Sequence, residues 1–370
     1  MAPIKSSLAR TVSKLLGVYK DTDLSLRGDV QSNRKIISFA ASGGNIANGI
    51  TPGDGYTYHT FSTSGSLVCT GVDGANLDIL VVAGGGGGGG RAGGGGGAGG
   101  IVEVVNVPIS PGTYSISVGA AGAGAGQPGH PGYPANQSSS PQVGETGSNS
   151  YFGAPGTGLG GQPDHFLAKG GGGGGKATGD TDYGDPGGSS GGSGYGEDNP
   201  QTADQPGTNP SPFATDYGNK GGRGVAGTTY NCGGGGGAGA VGAPGVPKNG
   251  SGGAGQPFPR FEYPKCFPSP YLPDLTPQSP NNTHYGGGGG GGGHPPQGPQ
   301  GTGGSGGGGD GGAPGGPFTA GQSADGTEAG TDYLGGGGGG TTTNGTGDQN
   351  YWGKPGGQGV VIVRYQTPDD

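Results

Sequence analysis

The sequence predicts an all-β fold: a small antiparallel β module with a long glycine-rich insertion forming packed polyglycine II-type helices and irregular loops, preceded by a short N-terminal helix. Three observations carry this reading. First, 105 of 370 residues are Gly and 32 are Pro, while hydrophobic residues reach only 27%, so an ordinary side-chain core is excluded for most of the chain. Second, β-rich runs such as LDILVV at residues 77–82 crowd the chain up to residue 118 and another, VVIVRY, stands at 360–365, with almost none in between. That is the pattern of one module interrupted by an insertion. Third, the glycines are gathered in blocks, at 84–90, 93–97, 170–175, 233–237, 286–293, 306–309 and 335–340, with polar, proline-bearing stretches between them.

Taken in order, the first 20 residues contain no acid, and Ile4, Leu8, Val12 and Leu15 recur at spacings of four, four and three. This marks one apolar face of a short amphipathic helix. Residues 56–61 (YTYHTF) and 66–69 (SLVC), separated by a Ser/Thr/Gly stretch, read as a hairpin. The run 77–82 ends abruptly in Ala83 and polyglycine. Residues 101–107 and 113–118 read as two strands joined by a turn over 108–112, where Pro and Gly stand in suitable places. Tyr351-Trp352, just before the last strand, reads as core over the sheet end. The chain thus divides into an N-terminal segment (1–45), a β module with the first glycine runs (46–120), an array of glycine helices and loops (121–355), and a closing strand with tail (356–370).

Glycine-rich sequence is ordinarily flexible coil, because fixing each residue costs about 1–2 kcal/mol and there are no side chains to bury. The alternative is a threefold extended helix whose backbones, lacking Cβ atoms, approach closely enough to hydrogen-bond side by side. Collagen requires Gly at every third position without a break, which this chain does not satisfy. Flanking strands and glycines gathered into blocks favour an ordered array over a linker.

Charge narrows the function classes. With 17 Lys+Arg against 25 Asp+Glu the net charge is −8, and because residues 1–40 hold seven basic residues and three acids, the remainder carries −12. A body of that sign repels nucleic acid. No apolar run reaches the length of a membrane span, so membrane insertion is not expected, and the N-terminus lacks the apolar centre of a secretory signal. Cys69, Cys232 and Cys266 are too few for a disulfide scaffold and form no CxxC pair. The block 170–175 followed by Lys176 approaches a phosphate loop, but Ala177 replaces the required Ser or Thr. Asp180, Asp182 and Asp185 lack the rest of a calcium loop. His59, His130, His165, His284 and His294 show neither metal spacing nor a nucleophile to serve. No enzyme, metal or cofactor is expected.

The block order offers a resemblance. LDILVVA running into polyglycine at 77–90, then GAGGIV at 97–102, PGTYSISVG at 111–119, GSNSYFG at 147–153 and GVVIVRY at 359–365 resemble the glycine-rich domain of bacteriophage tail-fibre and other virion proteins, over about residues 56–365. Residues 7–10 (SLAR), 23–28 (DLSLRG) and 32–34 (SNR) resemble N-terminal segments of phage tail components. The resemblance implies a virion protein without enzymatic activity, assembled in the host cytoplasm and displayed as a homo-oligomer, of which a trimer is one form. Its N-terminus would dock on other virion proteins through Leu8, Arg10, Val12, Leu15, Leu24, Leu26 and Arg27. Its loops would contact a bacterial surface receptor, a glycan among the candidates. The segment 257–271 alternates rings, prolines and charges without a glycine, and rigid aromatics supply contact area at low entropic cost. Phe258, Arg260, Phe261, Tyr263, Phe267 and Tyr271 are therefore the candidate receptor contacts, the competing reading being that these rings cap the array. Within the resemblance a tail fibre or tip adhesin leads, with a capsid decoration or head fibre protein next. A glycine-rich matrix protein or an ice-binding protein is the reading from a different class.

Overall fold

The structure, a computed structural model, describes residues 39–71, 75–126, 142–153, 165–176, 183–196, 201–225, 231–246, 248–273, 282–293, 299–313, 326–342 and 352–368. The predicted N-terminal helix and the docking residues Leu8, Arg10, Val12, Leu15, Leu24, Leu26 and Arg27 lie outside the described residues. The unit treated below runs from Ala40 to Asp370.

The fold is all-β. Its strands are β1 (Ala40–Ser42), β2 (Ala47–Ile50), β3 (Tyr56–Phe61), β4 (Gly65–Thr70), β5 (Ala75–Val82), β6 (Ile101–Ile109) and β7 (Gly112–Ser117). There follow β8 (Ser150–Phe152), β9 (Phe166–Ala168), β10 (Ala214–Tyr217), β11 (Gln256–Pro257), β12 (His284–Tyr285) and β13 (Val360–Gln366). They form an antiparallel sheet of order β1-β4-β7-β8-β9, a second of order β10-β6-β5-β13-β3-β2, and the small pair β11-β12. The closing strand returns to the centre: β13 lies between β3 and β5, with Val363 opposite His59 on one side and Ile79 on the other. The two large sheets pack as a sandwich, β8 and β9 lying against β5.

The predicted hairpin of residues 56–61 and 66–69 does not form. β3 pairs with β2 and β13, whereas β4 pairs with β1 and β7 in the other sheet. The connection from β6 to β7 likewise crosses between sheets, since β6 pairs with β5 and β10. The physical reason is burial. β3 is covered on both faces, while β4 alternates buried and exposed positions, so the two belong to different layers. Module and array also interleave along the chain: residues 46–120 supply two glycine runs, and residues 121–355 supply β8 to β12.

Where β5 and β6 end, their antiparallel pairing continues with a new repeat. The N–H groups of Ala83, Gly86 and Gly89 donate to the carbonyls of Gly100, Gly97 and Gly94 at 2.9–3.1 Å. Only every third residue returns to the same neighbour. Gly84, Gly87 and Gly90 donate instead to Ser148, Glu145 and Gln142, and Gly85 and Gly88 to Gly357 and Lys354. Three donor directions in rotation are what a threefold polyglycine II helix produces. The same rotation governs 286–293, where Gly287, Gly290 and Gly293 donate to Gly306, Gly309 and Gly312, Gly288 and Gly291 to Gly253 and Gly250, and Gly289 and Gly292 to Gly96 and Gly93. The glycine blocks are thus close-set, mutually hydrogen-bonded helices.

Burial separates inner from outer helices. Runs 84–90, 93–100, 170–175, 233–237, 286–293 and 335–341 are buried throughout and are nearly pure glycine. A Cβ at Gly88 would overlap the Gly339 carbonyl, and one at Gly95 the Gly289 carbonyl. Outer runs such as 218–225, 239–246 and 248–255 keep glycine at their inward positions and show side chains every third residue: Lys220 and Arg223, Val241 and Pro244, Lys248, Ser251 and Ala254. The block at 306–309 instead opens with a turn, Gly306 and Gly307 having φ of +90° and +93°.

Candidate functional site

Two places in this architecture gather irregular, side-chain-rich sequence, and they lie at opposite ends of the array. The first is the aromatic segment between β11 and β12. Prolines start its 3-10 turn Pro259–Phe261 and its four-residue helix Tyr263–Cys266, each near the first helical position, where a missing N–H costs nothing. Phe258, Phe261, Tyr263, Cys266 and Phe267 pack onto the face of the second sheet formed by Tyr58, Leu80, Val82, Val360 and Ile362. Tyr263 meets Tyr285 edge-on at 5.0 Å between centroids, and Phe258 meets Tyr217 at 5.3 Å. The buried polar groups are paired: the Tyr285 hydroxyl donates to the Phe261 carbonyl (2.7 Å), Thr60 Oγ1 to the Cys266 carbonyl (2.7 Å), and the Tyr263 hydroxyl to the His284 carbonyl.

An ionic network fastens the rim of this segment. Arg364, 7% exposed, donates through Nε and Nη2 to Asp78 Oδ2 (3.0 and 2.9 Å) and through Nη1 to the Arg260 carbonyl (3.0 Å), with its guanidinium 4.0 Å above the Tyr56 ring. Burial disfavours its charge, but the Tyr58 and Asp78 hydrogen bonds outweigh burial and hold the proton. Asp78 Oδ1 accepts the Asn106 N–H (2.9 Å). The Tyr58 hydroxyl, pushed up by burial, donates to Asp54 Oδ2 (2.7 Å). Burial raises the Asp54 carboxyl, yet hydrogen bonds from Tyr58 and Tyr56, with Lys265 3.6 Å away, leave it below its ordinary value. Arg260 bonds Glu103 at 3.2 Å, and Lys265 bonds Glu262 at 3.0 Å. Charges so matched hold the segment to the sheet.

Of the six predicted receptor contacts, Phe258, Phe261, Tyr263 and Phe267 are at most 1% exposed. Buried rings offer a partner no area, so these four belong to the core. Tyr271 is 44% exposed, beside the exposed Leu272, and the Arg260 side chain is 46% exposed. Sequence reasoning missed Arg364, Asp78, Tyr58 and Tyr285. The signal available was a single charge of opposite sign in each of two central apolar strands, LDILVV and VVIVRY.

The second place is the far end of the array, where the chain turns at Gly90–Ala92, Arg91 and Ala92 having φ of +52° and +51°. Hydrogen bonds set the level of the other run ends. Gly90 donates to Gln142, Gly93 to Thr341, Gly94 to Gly175, Gly292 to Gly93 and Tyr195 to Ala92, and the Cys232 thiol lies 2.7 Å from the Ala92 carbonyl. Connections before 142, after 175, after 195, before 232, after 292 and after 341 therefore all leave from one level, remote from the sheets. Trp352 belongs here too: it stands over Gly126, whose added Cβ would meet the indole. It covers this end and not the sheet end predicted for it, because the run 352–359 must be crossed before β13 begins. Tyr351 lies outside the described residues.

Cys69, Cys232 and Cys266 are free and buried, and burial pushes the Cys69 thiol up to about 12, which keeps it protonated. Among the described residues no three His, Cys, Asp or Glu side chains are placed to hold a metal ion, and no helix is long and apolar enough to cross a membrane. The profile of the glycine-rich domain matches residues 60–366, from within β3 to the end of β13. The chain belongs to the glycine-rich domain family. No curated protein matches it. The match of this glycine-rich domain takes in β4 to β13 and the whole array and leaves out β1, β2 and most of β3, so the strands from β4 onward and the polyglycine helices belong to one domain.

Proposed function

We propose that this glycine-rich domain is a phage virion structural protein, a tail fibre or tip adhesin, whose array holds connecting loops away from the sandwich and toward a host surface. One observation supports the reading above others: the runs go out from the sheets and return, so that the connections near 90–93, 142, 175, 195, 232, 292 and 341 share one end. Many weak contacts on one face reinforce each other when copies are displayed together. The array gives that face stiffness without an apolar core. Residues 1–45 would join the body to other virion proteins, and homo-oligomeric display would multiply the contacts. Contact through the far end replaces contact through the aromatic segment, whose rings are committed to the core.

Adsorption of the purified protein to candidate host cells tests this. Replacing residues 314–325, which follow the run whose Gly312 donates to Gly340 beside the far-end Thr341, by a short Gly/Ser linker is expected to lower adsorption at least tenfold. The double substitution Arg260→Ser and Tyr271→Ser, at the opposite end, is expected to leave it unchanged. Reversal of these two outcomes, or the absence of adsorption to any host that the parent phage infects, overturns the proposal.

A further inference from the structure

Residues 40–50 stand apart from the rest of the sandwich. They carry β1 and β2, each an edge strand, and thereby close one side of both sheets at once. Their attachment is limited: β1 and most of β2 are exposed or half-buried, the β2 pairing to β3 is broken by a bulge between Asn48 and Ile50, and the buried anchors of the stretch are Ile46 and Ala47, with Ile50 packed against the core. Side-chain links also hold the stretch, among them Thr70 Oγ1, which donates to the Ala40 carbonyl (3.3 Å). Asn45 bonds Ser62, the Tyr365 hydroxyl accepts the Ala41 N–H (3.3 Å), and His59 Nδ1 lies 2.7 Å from the Gly43 carbonyl.

The last link carries the proton chemistry. A carbonyl only accepts, so Nδ1 must be the donor. Nε2 is then an unprotonated acceptor, and it is fully buried without a partner. Gly49, at φ +75° within the bulge, covers the ring: an added Cβ there would lie 3.6 Å from Cε1 and 3.9 Å from Nε2. The other flank of the imidazole stacks on Tyr365 at 5.9 Å. Among the described residues, β2 has no titratable side chain, the 43–46 turn offers only Asn45, and β13 presents Tyr365 on this face. On β4 the one titratable group is Cys69, neutral as described. Arg364 and Asp54 serve Tyr58 on the opposite face of β3. A proton on Nε2 would therefore be a buried donor and charge with no carboxylate or carbonyl to receive it.

We propose that His59 is an acid-operated latch: protonation of Nε2 releases residues 40–50 from the sandwich edge while the remaining strands and the glycine array stay folded. Lifting β2 is the smallest movement that hydrates the ring, because Gly49 is its lid and β2 is bonded on one side only. The release would loosen the stretch that follows the N-terminal residues, a property independent of what the far end binds. Burial holds the closed imidazole below its ordinary value of 6.5. The closed latch is thus fully stable above that pH and weakens as pH falls below it, its opening constant rising up to tenfold per pH unit.

Hydrogen–deuterium exchange of the full-length protein, corrected for intrinsic exchange rates, reads this directly. Between pH 7.5 and pH 5.0, opening of peptides covering 40–50 should increase by up to about thirtyfold, while peptides covering β5 and the run 84–90 stay protected. His59→Asn, which can still donate to Gly43 but does not titrate, should abolish the pH dependence. Three results overturn the latch: exchange of 40–50 that is flat with pH, β5 opening in parallel with it, or the same acid response in His59→Asn. If that variant does not fold, the wild-type profile decides alone, since a one-proton slope confined to 40–50 and beginning near pH 6.5 is required.

Discussion

The sandwich and the array are organised by opposite rules. In the sandwich, and in the aromatic segment laid over it, order comes from side chains: Phe258, Phe261, Tyr263, Phe267 and Tyr285 fill the space above one sheet, and position along the strand decides which way each residue points. In the array, order comes from the backbone, and the inner runs exclude side chains because neighbouring carbonyls occupy the space a Cβ would need. Close packing is a property of interdigitating shape and not of oiliness. Glycine, usually the residue that loosens a structure, tightens this one because the N–H groups of runs such as 84–90 and 286–293 donate in rotation to carbonyls of different neighbours.

That contrast can be broken by experiment, the strongest attempt first. Gly95→Val places a branched side chain where a Cβ already overlaps the Gly289 carbonyl. We expect a loss of more than about 5 kcal/mol, in the exceptional class for one substitution, read as failure to fold or a collapsed denaturation midpoint. A folded Gly95→Val protein of normal stability would end the distinction. Phe258→Ala, in the side-chain half, should cost about 3–5 kcal/mol, as for other buried rings, and should expose the aromatic segment to limited proteolysis without loss of far-end protection. Val241→Ser, at an outward position of an outer run and 53% exposed, should change stability by no more than about 0.5 kcal/mol. A large effect there would show that the outward positions are not free.

Much of this was legible before the structure. The blocks of glycine marked the array, and the inner helices coincide with the longest of them, because only a helix surrounded by others needs glycine at all three faces. The return of the last strand to the early strands was legible in LDILVV and VVIVRY. Strand partners were not. A short loop reads the same whether it closes a hairpin within one sheet or arches to the next, so β3 and β4 looked like partners. The better signal was available in the side chains, since β4 alternates in the manner of a half-exposed strand while β5 and β13 are apolar on both faces. The aromatic segment was misjudged for a related reason. Over the second sheet the buried rings Phe258, Phe261, Tyr263, Phe267 and Tyr285 join the aliphatic strand residues in one core, and prolines between rings shape a lid as readily as an exposed loop. Which ends of the runs align was not legible, because it depends on hydrogen bonds between residues up to hundreds of positions apart.

The threefold repeat also gives the array something like a reading frame. Runs such as 84–90 and 286–293 address three neighbours in rotation, so inserting or deleting one residue midway would turn every later N–H toward the wrong partner, and a like change in an outer run would swing its side chains from solvent into the interior of the array. Adding three residues restores the rotation and only lengthens the run. Length variation in this molecule is therefore quantised inside the helices and continuous in the connections between them, which leaves the far-end loops as the part of the chain that can change size without renegotiating the rest.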